Sequence, residues 1–87
     1  MSEEALTELI FGIVRRDLLS VGSDFTPDSS MNEAGLDSLA VAQLLLEVEQ
    51  ATGQWVDEAL LTPRNLASVR AFAKAVHAAH FAGRAAG

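Results

Sequence analysis

The sequence contains no cysteine among its 87 residues. This absence excludes disulfide bonds, thiolate metal sites and a catalytic thiol, and it leaves the redox compartment open, with the cytoplasm as the default. A chain of this length forms one domain and buries only roughly 60–65% of the surface that it exposes when unfolded. It can hold one small core, with little room to enclose a deep active site.

Long apolar runs and a basic N-terminus are also missing. The first residues, "MSEEALTELI", are acidic and lack the positive segment of a signal peptide. The longest apolar runs, "LIFGIV" and "LAVAQLLL", are far too short to span a bilayer. We therefore expect a soluble cytoplasmic protein without a membrane partner.

Positive charge is scarce, and the formal net charge is −6. Residues 1 to 58 contain all 12 carboxylates and only two arginines, so this part carries −10, whereas the remainder carries +4. Binding to nucleic acid requires a basic surface that displaces counterions, so the charge argues against a nucleic-acid partner. The acidic part either steers basic partners or only keeps the chain soluble, and composition does not separate these alternatives.

The pattern of apolar residues predicts helices separated by one long loop. Apolar residues follow helical spacing at the start, after residue 36 and near the end of the chain. The loop is rich in Gly, Ser, Asp and Asn, and we expect Phe25 and Met31 to anchor it in the core. The predicted elements are a helix from Glu3 to Leu19, the loop from 20 to 35, a helix from Asp37 to about Ala51, a short helix or turn within 57 to 66, and a helix from Ala67 to Phe81.

These elements predict an all-α fold. We expect a small four-helix bundle, with three main helices and one short helix, and a long loop between helices 1 and 2. The domain should occupy residues 1 to 82, followed by a flexible C-terminal tail over 83 to 87. Gly53 should end the second main helix in a left-handed conformation, and Gly83 should end the last one.

The second main helix is more apolar than one core face requires. Its predicted core face contains five residues, and a second stripe of Leu39, Ala42 and Leu46 lies on another side. The stripe either packs inside the bundle or faces solvent as a docking surface for a partner. Periodicity alone favours packing. The predicted core-face residues are Val41, Leu44, Leu45, Val48 and Ala51.

The segment "GLDSL" places Ser38 at the start of this helix. Ser or Asp is common at a helix start because its side chain caps free backbone N–H groups, so either Asp37 or Ser38 could be an ordinary cap. The same free N–H groups and the helix dipole also tolerate an anionic group attached to the hydroxyl. Spacing alone favours capping.

The "GLDSL" motif, its position after one helix and a long loop, and the acidic, cysteine-free chain resemble the acyl carrier proteins. The resemblance extends from Glu3 to about His80, and "LASVRAFAKAV" is similar to the family's final helix. It implies that Ser38 carries 4′-phosphopantetheine, derived from coenzyme A, through a phosphodiester, and that the thiol of this arm holds acyl groups as thioesters. Asp37 and Leu39 complete the attachment site.

The resemblance also implies partners. These are a phosphopantetheinyl transferase, an acyl- or aminoacyl-loading enzyme and a downstream synthase or transferase, bound by a monomeric carrier that is not itself an enzyme. In the family the second helix is the main surface that partners contact, which favours docking for the apolar stripe. The predicted partner-binding residues are Leu39, Ala42, Leu46, Glu47 and Val56.

Two positions differ from typical fatty-acid carriers. Ala40 and Gln43 stand where acidic residues are common in the family, which favours specialised metabolism, polyketide or mixed, over fatty-acid synthesis. The motif favours an acyl load, although an aminoacyl load stays open. The alternative function is an unmodified helical module that binds a partner through the acidic and apolar second helix.

Three further residues have possible roles in binding. His77 and His80 are spaced to share a metal, but no third ligand is close in sequence, so we expect them to be surface residues. Trp55 could line a pocket or an interface, and we expect it to cover the end of the bundle.

Overall fold

The computed structural model describes residues 1–81, and these residues form helices and loops without a strand. The three α-helices are α1, Glu3–Ile13; α2, Ser38–Thr52; and α3, Val69–His80. A π-helical segment, Val14–Leu18, continues α1, and a short 3-10 helix, Glu58–Leu60, lies between α2 and α3. The all-α prediction is confirmed, but the fourth helix is only this single 3-10 turn.

Helix α1 begins as its sequence predicts. The hydroxyl of Ser2 accepts a hydrogen bond from the Ala5 N–H at 3.1 Å, and two glutamates occupy the first turn, where the helix dipole favours negative charge. The helix ends in a wider turn, in which the Leu19 N–H donates to the Val14 carbonyl at 3.0 Å. This turn keeps the chain helical to Leu18, close to the predicted end at Leu19.

The long loop is fixed to the body at its apolar side chains. Phe25 and Met31 are buried, at 8% and 0% exposure, which confirms that they anchor the loop in the core. The Met31 N–H donates to the Ala67 carbonyl at 3.0 Å, and the Arg70 N–H donates to the Pro27 carbonyl at 2.9 Å. The loop is therefore held against the beginning of α3.

The core lies between the three helices and the loop. Helix α1 packs mainly against α3, and α2 contributes Ala40, Leu44 and Val48 as its buried residues. The predicted core face of α2 is therefore shifted, because Ala51 is exposed and Ala40 is buried. The largest side chains in the core are Phe72, Leu6, Ile10, Met31, Leu44, Val14, Val48, Val56, Val69 and Val76.

The ends of the later helices match their predicted signals in part. Ser68 caps α3 by accepting from the Ala71 N–H at 3.1 Å, so the helix begins two residues after the predicted Ala67. Gly53 ends α2 with φ of 71°, as predicted. The predicted stop at Gly83 and the predicted tail lie outside the described residues.

Within residues 1–81, no helix has the length and hydropathy required to cross a bilayer.

Two glycine substitutions should change stability in opposite directions. Gly53→Ala should lower the free energy of unfolding by about 1–2 kcal/mol, because a Cβ disfavours the left-handed backbone although no atom lies within 4 Å of it. Gly12→Ala should raise it by about 0.5–1 kcal/mol, because alanine favours the helix and its Cβ would make an ordinary 3.6 Å contact with Arg16. Urea denaturation measures both, and a stabilising Gly53→Ala would show that this conformation is not required.

Candidate functional site

Ser38 is the first residue of α2, and its side chain is exposed. The cap of this helix is Asp37, whose Oδ1 accepts a hydrogen bond from the Ala40 N–H at 2.8 Å. The Asp37 carbonyl accepts from the Val41 N–H at 2.9 Å. Capping is therefore performed by Asp37, and the hydroxyl of Ser38 is left available to another group.

The turn before Ser38 determines where the serine is presented. Gly35 has φ of 107°, a value that favours glycine, and it reverses the chain after the loop. The Leu36 N–H then donates to the Met31 carbonyl at 3.0 Å, which connects this turn to a side chain buried in the core. The motif "GLDSL" thus combines a turn, an anchor, a cap and an exposed hydroxyl at a fixed position.

A groove of about 810 Å³ opens beside Ser38. It lies between the loop, the first turn of α2 and the segment that leads into α3. No pattern in the sequence predicts this groove, because its walls come from three segments that are distant in sequence and have no common motif. Its apolar wall contains Leu36, Val41, Leu61, Pro63 and Leu66.

The apolar stripe on α2 faces solvent. Leu39 and Leu46 are 76% and 54% exposed, and Ala42 is exposed between them. The expectation from periodicity alone, that the stripe packs inside the bundle, is wrong, because Leu44 and Val48 provide the core contacts of this helix. The stripe begins next to Ser38 and extends along the outer face of α2.

Glu47 lies near this stripe and is half-buried. Partial burial raises the pKa of its carboxyl, and a hydrogen bond and like charge from Asp17 raise that pKa further. A hydrogen bond from Gln43 and the positive charge of Arg16 act in the opposite direction. The carboxyl of Glu47 is thus part of a contact between α2 and the π-helical segment.

Val56 does not belong to the exposed surface. Its side chain is fully buried, and its N–H donates to Glu49 Oε2 at 2.9 Å. The prediction of Val56 as a partner-binding residue is therefore inconsistent with this structure, because a partner cannot reach the side chain. The neighbouring Trp55 is 69% exposed, so the expectation that it covers the end of the bundle is also wrong.

His77 and His80 lie in α3, and their surroundings bear on whether they could bind a metal. Among the residues that the structure describes, no group of three or more His, Asp or Glu side chains is arranged to hold a metal ion. The ring of His77 stacks on Phe81 with 6.1 Å between centroids, and both histidines are half-buried rather than fully on the surface.

Comparison with known proteins identifies the class of this chain. The family model described as "Phosphopantetheine attachment site" matches residues 8–76, and the chain belongs to this family of carrier domains. Its cofactor is therefore 4′-phosphopantetheine. No curated protein matches the chain.

A solved structure agrees with this assignment. The chain is similar to a carrier protein in the crystal structure of Bradyrhizobium japonicum glycine:[carrier protein] ligase complexed with glycylated carrier protein. The two share 26% identity with a TM-score of 0.62, over 85% of this chain and 97% of the other.

The start of α2 fits the phosphate of such an arm. The first N–H groups of an α-helix lack partners within the helix, and Asp37 satisfies only those of Ala40 and Val41. The N–H groups of Ser38 and Leu39 therefore remain to interact with an anion attached at this end of the helix. The exposed hydroxyl and the adjacent groove leave space for the arm on the protein surface.

Two substitutions of Asp37 should distinguish the stabilisation from its capping hydrogen bond from any effect of its negative charge. Asp37→Ala should lower the free energy of unfolding by about 1 kcal/mol, because the Ala40 N–H loses its partner. Asp37→Asn should remain close to the original stability, since Asn caps helices as well as Asp does. Thermal melts of the two variants provide the measurement. Equal destabilisation by both would mean that stability depends on the negative charge of Asp37 and not on its capping hydrogen bond.

Proposed function

We propose that this chain is a carrier that holds acyl or aminoacyl groups as thioesters on a 4′-phosphopantetheine arm attached to Ser38. The observation that carries the proposal is the exposed Ser38 hydroxyl at the start of α2, which the adjacent cap does not use. The thiol of the bound arm supplies the thioester chemistry, so the chain requires no cysteine of its own.

The protein's own residues position the arm and leave catalysis to other proteins. Asp37 caps the first turn of α2, and the N–H groups of Ser38 and Leu39 in that turn would stabilise the phosphodiester. No activating base for Ser38 is required in this chain, because a phosphopantetheinyl transferase would supply the catalysis: the Ser38 oxygen would displace adenosine 3′,5′-bisphosphate from coenzyme A, and the hydroxyl proton would be released. Incubation with coenzyme A and such a transferase should add the mass of one arm, whereas no addition would exclude the carrier function.

For the pathway, we propose polyketide or other specialised metabolism. Of the two departures from typical fatty-acid carriers, Gln43 is exposed and removes a charge from the outer face of α2. Ala40 is buried, so it gives no information about partners.

An aminoacyl load is supported by the similar carrier, which is glycylated in its crystal structure. We propose the cytoplasm as the compartment, where coenzyme A and loading enzymes are available.

The partners that we propose are the transferase, a loading ligase or acyltransferase, and a downstream synthase or transferase. They would bind along α2, where Leu39, Ala42 and Leu46 form an exposed stripe beside Ser38. The same stripe supports the second candidate, an unmodified interaction module. The two candidates differ in one measurable property, because only the carrier gains an arm.

Modification by the transferase should slow as salt increases. Residues 1 to 58 carry −10, and exposed charges are screened beyond roughly 8–10 Å at physiological ionic strength. The kcat/KM of arm transfer should therefore fall between low and high salt, mainly through slower association. A transferase assay over a sodium chloride series measures this, and a flat profile would mean that the acidic residues only maintain solubility.

A further inference from the structure

The lining of the groove beside Ser38 bears on the charge of the load that the arm carries, if the arm is attached to Ser38 as proposed above. Ser38 and the apolar wall line the same groove, so an arm that folds back into it would contact this wall. The polar part of its lining includes Ser30, Asn32 and the carboxylates Asp28 and Asp37, and none of the described residues that line it is Lys, Arg or His.

Both carboxylates have only part of their hydrogen-bonding capacity occupied. Oδ1 of Asp28 accepts from Arg70 Nε at 2.7 Å, and Oδ1 of Asp37 accepts from the Ala40 N–H at 2.8 Å. The Oδ2 atoms of Asp28 and Asp37 take part in neither of these two hydrogen bonds. The Arg70 guanidinium offsets the charge of Asp28, whereas Asp37 is paired only with a backbone N–H of α2.

Two backbone donors near the groove are already occupied. At the start of α3, the Arg70 N–H is bound by the Pro27 carbonyl and the Ala71 N–H by the Ser68 hydroxyl. At the start of α2, the free N–H groups belong to Ser38 and Leu39, where the phosphate of the arm itself would lie. Arg70, the cation beside the groove, is already paired with Asp28, so a carboxylate at the end of a load would meet an acidic lining and, among the groove residues that the structure describes, no unpaired cation.

We infer that this groove receives acyl groups that end in a neutral or ammonium group, an aminoacyl group among them, and rejects acyl groups that end in a carboxylate. A neutral load gains contact with Leu36, Val41 and Leu61. An ammonium group can donate hydrogen bonds to the second carboxylate oxygens of Asp28 and Asp37, which line the groove. The carrier thus shelters a monocarboxylic or aminoacyl load and leaves a malonyl-type load in solvent.

The test compares three loads on the complete chain. A broad-range transferase attaches the arm from malonyl, acetoacetyl and β-alanyl coenzyme A, and intact mass verifies each product. Malonyl and acetoacetyl have the same number of heavy atoms and differ in charge, so they form the matched pair. Amide chemical shifts of Asn32, Val41 and Leu61 are then compared with those of the protein that carries the unloaded arm.

Acetoacetyl and β-alanyl should shift these three amides, and malonyl should give the spectrum of the unloaded arm. In Asp37→Asn, which keeps the cap, malonyl should begin to shift them. Equal shifts from malonyl and acetoacetyl in the unchanged protein, or no shift from any load, would overturn the inference while the verified masses leave the carrier function intact. Absence of any mass gain would instead remove the carrier function on which the inference rests.

Discussion

Ser38→Ala should retain the fold and lose attachment of the arm completely. The hydroxyl oxygen is the atom that the phosphodiester requires, and alanine has no equivalent. Stability should be almost unchanged, because Asp37 rather than Ser38 caps α2 and the Ser38 side chain is exposed. Intact-protein mass after incubation with coenzyme A and a broad-range transferase measures attachment, and a thermal melt measures the fold.

Ser23→Ala is the matched control for this variant. Ser23 is an exposed serine in the long loop, outside the motif, so its loss should leave the mass gain unchanged. Should Ser38→Ala still gain an arm, another residue must carry it, and the proposed site would be wrong. A Ser38→Ala chain that fails to fold would contradict the assignment of the cap to Asp37.

Leu46→Asp should leave the domain folded and lower the kcat/KM with which the transferase modifies it. Leu46 is 54% exposed, so a carboxylate at this position remains in water and costs little stability. If the stripe is a docking surface, removal of a central apolar anchor should cost about 2 kcal/mol of binding, which lowers kcat/KM about thirtyfold. The transferase assay and a thermal melt together measure both effects.

Leu44→Asp on the same helix is the contrasting control. Leu44 is fully buried in the core, so the substitution removes about 2–5 kcal/mol of packing and also buries an unpaired carboxylate. This cost is comparable to the total stability of a small domain, about 5–15 kcal/mol, and the variant should unfold. If Leu46→Asp also unfolds, or is modified at the original rate, the stripe is not the docking surface.

The parts of the fold that depend on local signals could be predicted from the sequence. These signals act within a few residues, so the sequence alone indicates their effect. Examples are the cap at Ser2, the helix end at Gly53 and the periodic apolar residues of α1 and α3. The anchoring of the loop by Met31 could also be predicted, because methionine is among the residue types that are most often fully buried.

What could not be predicted depends on which neighbours meet in space. Periodicity predicts a core face of α2 that includes Ala51 and leaves out Ala40, whereas Ala51 is exposed and Ala40 is buried, because the packing of the bundle sets the exact orientation of the helix. Val56 and Trp55 are adjacent apolar residues, and only the turn bound to Glu49 determines that the valine is buried and the tryptophan exposed. The groove beside Ser38 requires three segments to converge, which no local pattern encodes.

The most direct test of the central claim is to locate the arm on the modified chain. The protein is incubated with coenzyme A and a broad-range transferase, digested with a protease that cleaves at acidic residues, and sequenced by mass spectrometry. The carrier function predicts one arm for each chain, on the peptide that contains Ser38 and at that residue. An unmodified chain, or an arm on any other serine, would contradict it.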